Sequence, residues 1–342
     1  MSVPLRKYLR PIQDILSDPE VNEVMINRPN QYIIEKPEGK QYVETDQFSA
    51  SDLQEMARLT ASYTNQKIGE DCPILSGSLP DGERIQIVMP PAVASGMFAV
   101  SIRKPTILDL ELKDYSESGA FEDVRIADNE YMTEEDEYLV QLKESGRIGD
   151  FLAAAVKHKK NIIVSGGTSS GKTTFTNALI KEISLEERII SIEDVQEVVL
   201  HQRDKLHLIC SKGGQGKAQV TPKELLEACL RLNPDRIMLS ELRGEEAFYF
   251  LRAINSGHPG SITTLHADSV AGAFDQIVMM ITQGGGNLAE ENIRSYLDRV
   301  VDVVVQFNKV AGRRYMSELY FEPKGKRRTP KKDHHSRLVE EA

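Results

Sequence analysis

The chain has 342 residues, 40% hydrophobic content and a net charge of −10. That length exceeds one ordinary hydrophobic core and predicts about two domains. The acidic balance argues against a general nucleic-acid binder, which needs a basic surface. Tryptophan is absent, so the core must come mainly from Ile, Val, Leu and Ala. Cys72, Cys210 and Cys229 form no C-x-x-C pair or metal-ligand spacing. They read as reduced, mostly buried thiols of a cytoplasmic protein. No apolar run approaches the ~18 residues of a membrane span. The first ten residues are charged without a following apolar stretch, unlike a signal peptide.

The first third, residues 1–105, reads as a small mixed α/β domain. Ser51-Asp52-Leu53-Gln54 has the form of a capped helix start, and Leu53, Met56, Leu59 and Tyr63 follow at near-helical spacing. Strand-like pieces run from Glu23 to Ile26, Tyr32 to Glu35, Arg84 to Met89 and Met97 to Arg103. The last sets Phe98, Val100 and Ile102 against Ala99, Ser101 and Arg103, the alternation of a half-buried strand. Residues 106–137 are rich in Asp, Glu, Ser and Gly and are expected to be a linker, with Leu108, Leu110 and Leu112 free to pack on a neighbour.

From Tyr138 helices and strands alternate, which predicts an α/β domain over 138–322 with a mainly parallel sheet covered by helices. Strands are expected at 161–165, 188–193, 205–210, 235–240, 261–266 and 300–307, and a late hairpin strand from Arg313 to Glu322. Thr221-Pro222-Lys223-Glu224 carries a cap, a first-turn proline and a glutamate three residues after the cap. Gly284-Gly285-Gly286 should break the chain before another helix. The tail, 323–342, concentrates Lys and Arg and is expected to be disordered and solvated.

Residues 166–173 read Gly166-Gly167-Thr168-Ser169-Ser170-Gly171-Lys172-Thr173, after the strand-like Asn161 to Ser165 and before Thr174 to Ile180, a helix-like run. This is G-x-x-x-x-G-K-[ST] in a strand–turn–helix context. Glycines let backbone N–H groups close around phosphate oxygens, and the helix N-terminus adds partial positive charge. Lys172 can reach the β- and γ-phosphates, and the Thr173 hydroxyl can ligate Mg²⁺. The backbone from Gly166 through Thr174 is the expected phosphate cradle for ATP.

Hydrolysis further needs a carboxylate for water and metal. Arg236 to Glu241 is an apolar strand that delivers Glu241 at its C-terminal end, where ligands bind in open α/β sheets. Ile189 to Glu197 ends a second strand in Glu193, Asp194 and Glu197. Either Glu193 or Glu197 could polarise the attacking water, and residue types alone do not choose among these and Glu241. His266 closes a third strand beside Thr263 and Thr264, where a neutral imidazole could sense the γ-phosphate.

Four motifs now stand in order: the P-loop; Ile192-Glu193-Asp194 with Glu197; Asn233 to Gly244; and Gly257 to Asp268. This order resembles the Walker A, Asp, Walker B and His boxes of the secretion-ATPase superfamily. Within it the chain resembles the traffic ATPases of type IV secretion systems, the VirB-type hexameric motors. Arg84 to Pro91 and Ser101 to Pro105 are similar to that family's N-terminal domain. The resemblance implies a RecA-like P-loop NTPase domain, with nucleotide between it and the N-terminal domain. It implies a homohexamer at the cytoplasmic face of the inner membrane, in peripheral contact with it and with other secretion components. By motif position Glu241 is the Walker B acid, a metal-site residue with Thr173, and His266 is the His-box residue. Arg103 resembles the arginine that reaches the nucleotide. Ser240 departs from the more usual glycine, and the tetracysteine zinc module of the type II branch is absent.

The reading is a Mg²⁺-dependent ATPase that powers type IV secretion or assembly of its machine. The alternatives are a motor for type IV or tight-adherence pili and, further off, a RecA-like DNA translocase. No sequence-specific nucleic-acid binding is expected.

Overall fold

A computed structural model describes residues 3–105, 111–122, 132–211, 217–285 and 288–323. Two sheets organise the chain. The first has six strands, all antiparallel, in the order β3-β2-β1-β6-β5-β4. They are β1 (Glu23–Ile26), β2 (Gln31–Lys36), β3 (Gly39–Glu44), β4 (Ile74–Ser78), β5 (Arg84–Val88) and β6 (Ala99–Arg103). Helices α1 (Val3–Ser17) and α2 (Ala50–Tyr63) pack on this sheet. Leu5, Leu9, Ile12 and Leu16 recur at helical spacing on α1 and meet Leu53, Met56 and Ala57 of α2.

The cap of α2 lies two residues earlier than the sequence suggested. Ser49 accepts from the Asp52 backbone N–H, and the Asp52 carboxylate accepts from the Ser49 backbone N–H. Both serines fit the pattern, but Asp52 sits three residues after Ser49, and that reciprocal pairing fixes the start. The expected half-buried β6 is also corrected. Ala99 through Ile102 are all buried, because Val100 and Ile102 join the first core while Ala99 joins a core beneath the second sheet.

The second sheet has seven strands in the order β13-β12-β7-β11-β10-β8-β9. All its pairings are parallel except the hairpin β12–β13. The strands are β7 (Ile162–Gly166), β8 (Ile189–Glu193), β9 (Lys205–Ile209), β10 (Arg236–Leu239), β11 (Ile262–Leu265), β12 (Val303–Val310) and β13 (Arg313–Phe321). The sheet is covered on both faces, so successive residues enter different cores. Ile163, Ile190 and Ile192 pack toward α7 (Pro222–Cys229), α8 (Glu246–Asn255), α9 (Val270–Gln283) and α10 (Glu290–Val300). Ile162, Val164 and Ile189 pack toward α4 (Glu134–Glu144), α5 (Ile148–Lys157) and α6 (Lys172–Ile180). This is the RecA-like P-loop architecture, joined to a smaller α/β unit.

Within the expected linker, α3 (Leu112–Glu117) is a short surface helix, and Leu112 is 78% exposed rather than packed. Helix α4 begins inside the same stretch, because Thr133 and Asp136 form a capping box and Asp136 pairs with buried Lys160 at 2.7 Å. Leu108, Leu110 and the basic tail from Lys324 lie outside the described residues.

The connection between β5 and β6 touches the second sheet along β9. Its free edge is paired by residues 92–94: Ala94 N–H donates to the His207 carbonyl and Ile209 N–H to the Ala92 carbonyl, both at 2.9 Å. An edge strand that would otherwise expose unpaired backbone is thereby covered.

Candidate functional site

The parallel strands all deliver their C-terminal ends to one edge of the sheet, and the sequence-predicted motifs gather there. β7 ends at Gly166, the turn follows, and Lys172 opens α6. Gly166 is required by space: a Cβ would overlap the Phe307 carbonyl oxygen and the Ser170 hydroxyl. Gly171 is required by conformation, with φ of +99°. The backbone of Gly167, Thr168 and Ser169 is exposed at the turn, and Thr173 and Thr174 are exposed on the first turn of α6. Ser170 Oγ is buried without a hydrogen-bond partner among the described residues.

Lys172 folds back on its own loop. Nζ donates to the carbonyls of Gly166 at 2.7 Å and Gly167 at 3.1 Å and lies 3.4 Å from His266 Nδ1. Burial pulls its ammonium below the ordinary lysine value, against the opposing pull of Glu241. His266 Nε2 lies 3.3 Å from Glu241 Oε1. Arg243 then clamps two acids, donating to Glu241 Oε2 at 2.8 Å and to Asp194 Oδ2 at 2.9 Å. Lys172, His266, Glu241, Arg243 and Asp194 therefore form one continuous polar chain across the ends of β7, β11, β10 and β8. Thr264 Oγ1 donates to the Ser240 carbonyl at 2.7 Å, which ties β11 to the turn before Glu241.

The two carboxylates of the second motif separate sharply. Glu193 is fully buried. Its Oε2 accepts from the backbone N–H groups of Glu197 and Val198, both at 2.7 Å, and its Oε1 accepts from Ser191 Oγ at 2.6 Å. His207 Nδ1 on β9 lies 3.3 Å from the same oxygen. Burial pushes this carboxyl up, but His207, Ser191 and the two backbone donors together hold it below the ordinary value. Glu197 is exposed, with Oε2 3.5 Å from Thr173 Oγ1. Asn177 of α6 fixes that turn, donating to the Glu197 carbonyl and accepting from Val199 N–H, both at 3.0 Å.

Arg103 is not brought to this cluster. It is the last residue of β6, exposed, and registers opposite Glu23 and Arg84. Glu23 also registers opposite Glu35, whose Oε2 accepts from Asn233 Nδ2 at 2.6 Å in the turn before β10. Arg103 thus lies by the N-terminal ends of the parallel strands, whereas the P-loop lies at their C-terminal ends. Three side chains at or beneath the site were not assigned from sequence. Arg243 was legible only as part of a motif. His207 follows from its β9 register opposite Ser191. Arg314 donates from Nε to the Ser169 carbonyl at 3.1 Å, and a hairpin residue 145 positions away carries no local signal.

The donor set suits a hard divalent cation held with phosphate: a hydroxyl, two nearby carboxylates and an unpartnered serine beside a glycine turn. Among the described residues there is no cluster of three or more His, Cys, Asp or Glu placed to hold a metal by itself.

The profile of the type II/IV secretion system protein family matches residues 6–337. The chain belongs to that family. It is 42% identical to the type IV secretion system protein VirB11 of Bartonella henselae, over 92% of either chain. It is 39% identical to VirB11 of Brucella suis, over 94% of this chain and 91% of that protein. The crystal structure of the Brucella suis VirB11 ATPase in complex with sulphate superposes with a TM-score of 0.88, at 38% identity, covering 94% of this chain and 98% of that one. The resemblance read from the four boxes to the VirB-type secretion ATPases therefore holds, and the chain is an ATPase of this family. Among the described residues no helix is long and apolar enough to cross a membrane.

Proposed function

We propose that this chain hydrolyses ATP with Mg²⁺ to power type IV secretion, as a subunit of a homohexamer working against other secretion components at the cytoplasmic side of the inner membrane. The observation that carries the chemistry is the convergence of Lys172, Thr173, Glu197, Glu241 and His266 on one P-loop. Lys172 exchanges the Gly166 and Gly167 carbonyls for phosphate oxygens, a better partner for an ammonium that burial has partly desolvated. The Thr173 hydroxyl and Glu241 would hold Mg²⁺, which supplies neutralising charge on the phosphate oxygens. Glu193 keeps its oxygens turned inward and positions the turn that carries Glu197. Glu197 and Glu241 are then the carboxylates left for water. His266, between Lys172 and Glu241, reports phosphate to the Walker B acid.

Lys172→Ala tests the reading. Turnover should fall about a thousandfold, as expected when charge stabilisation of a transition state is removed, while thermal melting of the free protein stays within about 1 kcal/mol. Near-parental turnover rejects the site. Light scattering with an ATP analogue and Mg²⁺ should report a hexamer, and a strict monomer under those conditions contradicts the ring.

A further inference from the structure

We infer that Arg314 is a nucleotide-binding residue: its guanidinium, pinned against the P-loop by the C-terminal hairpin, contacts the polyphosphate of the chain's own site. This rests on the ATPase reading above and names a contact that the four motifs do not contain.

The argument begins with β12. It pairs with β7 only as far as Phe307 opposite Gly166. Beyond that pair the hairpin continues through Asn308–Val310 and Arg313–Tyr315, so it overhangs the turn that follows Gly166. Strand alternation then decides which hairpin side chains face that turn. Phe321 and Leu319 pack into the core that α6 shares, and Tyr320 packs into the opposite one. Unbroken alternation would send Tyr315 and Arg313 to the α6 face. The register slips between Gln306 and Phe307, which oppose Glu318 and Met316 and leave Ser317 as the extra residue. A bulge of this kind exchanges the two faces beyond it. Met316 accordingly packs in the α6 core, and Arg314, two residues on, shares that face.

The contacts agree. Arg314 Nε donates to the Ser169 carbonyl at 3.1 Å, and a Cβ on Gly171 would come 3.0 Å from Arg314 Cδ. Ser169 has φ of 60°, a left-handed backbone position within the turn. A guanidinium carries five N–H donors, and among the described residues only Nε is engaged here. The two terminal nitrogens are left as a planar fork, the geometry that suits phosphate oxygens. Arg103, expected to supply such a group, lies by the other edge of the sheet. Within one chain Arg314 supplies it instead.

Calorimetric titration of the full chain with ADP, together with the KM for Mg–ATP, tests the assignment. Arg314→Ala should weaken ADP binding and raise KM about tenfold, the scale of a charge-assisted hydrogen bond. Melting of the nucleotide-free protein should not change. Arg314→Gln keeps a donor for the Ser169 carbonyl without the charge and should stay weak, and Arg314→Lys should recover only part. Arg313→Ala, on the opposite face, should bind ADP as the parent does. Parental affinity in Arg314→Ala, alongside lost affinity in Lys172→Ala, overturns the inference and leaves the nucleotide site standing. Full recovery by Arg314→Gln also overturns it, because the side chain would then only brace the turn. Parental affinity in Lys172→Ala would reject the nucleotide site and this inference with it.

Discussion

The two edges of the seven-stranded sheet use charge in opposite ways. At the C-terminal edge Lys172, Glu241, Arg243 and His266 are joined by contacts of 2.8–3.4 Å, but Arg243 and His266 are each about half exposed. At the N-terminal edge Arg188, Asp204 and Asp235 stand immediately before β8, β9 and β10. Arg188 and Asp204 are fully buried and bonded to each other. Arg188 also donates to the Leu232 carbonyl and to Asn27 Oδ1, both at 2.9 Å, and Asp204 takes Lys40 Nζ at 3.0 Å. Lys40 lies on β3 and Asn27 directly follows β1, so this edge is a seam between the two units. A half-open polar chain can trade partners with an incoming phosphate. A buried one cannot, since separating its charges exposes each to an apolar interior. The same strands therefore carry a working end and a fastening end.

Glu241→Gln should separate them most sharply at the working end. It keeps the shape but releases Arg243 and, on the proposed reading, the metal position, so kcat should fall on the order of a hundredfold with nucleotide affinity changed little. Single-turnover hydrolysis beside a binding titration measures both, and lost binding with an unchanged chemical step contradicts the role. At the fastening end Arg188→Met should cost about 3–5 kcal/mol, because Asp204 stays buried without its main partner. A urea unfolding midpoint reports this. A loss below about 1 kcal/mol would mean that Lys40 and Asn27 suffice for Asp204.

How legible these edges were depends on the range of their interactions. The working edge is written in contiguous motifs, because a P-loop and a strand-end acid are local patterns. All seven strands of the large sheet carried local signals as well. The first sheet was harder. β3 reads Gly-Lys-Gln-Tyr-Val-Glu and β4 Ile-Leu-Ser-Gly-Ser, too short and polar for alternation to reveal. Helix α1 escaped the sequence reading although Leu5, Leu9, Ile12 and Leu16 stand at helical spacing, and it carries Pro11, a residue type that ordinarily breaks a helix. The fastening edge was invisible, since Asn27 and Arg188 meet across 161 positions. Arg314 was hidden for a sharper reason: one extra residue at Ser317 reverses the face that alternation would give it.

Glu193 is the one group that was read as belonging to the working edge but is built like the fastening one. Glu193→Gln removes the charge: the amide oxygen can still accept from the Glu197 and Val198 N–H groups, but without charge assistance, and its NH₂ replaces the oxygen that accepts from Ser191 Oγ. The substitution should cost about 1–3 kcal/mol at neutral pH, the range for a buried charged hydrogen-bond acceptor. The sign of its pH dependence follows from a carboxyl held below its ordinary value in the folded protein. Such a group adds stability above the unfolded-state pKa, about 4.3 for glutamate, and loses it as pH falls through the lower folded value. The parent should therefore approach the variant as the pH drops below about 4, while the gap stays constant from pH 5 to 7. Thermal melts of both proteins across that range measure the gap. Turnover should fall with it, since the turn that bears Glu197 loses its anchor beside Thr173. A gap that widens toward acid would mean that the inward hydrogen bonds do not outweigh the burial of this carboxylate.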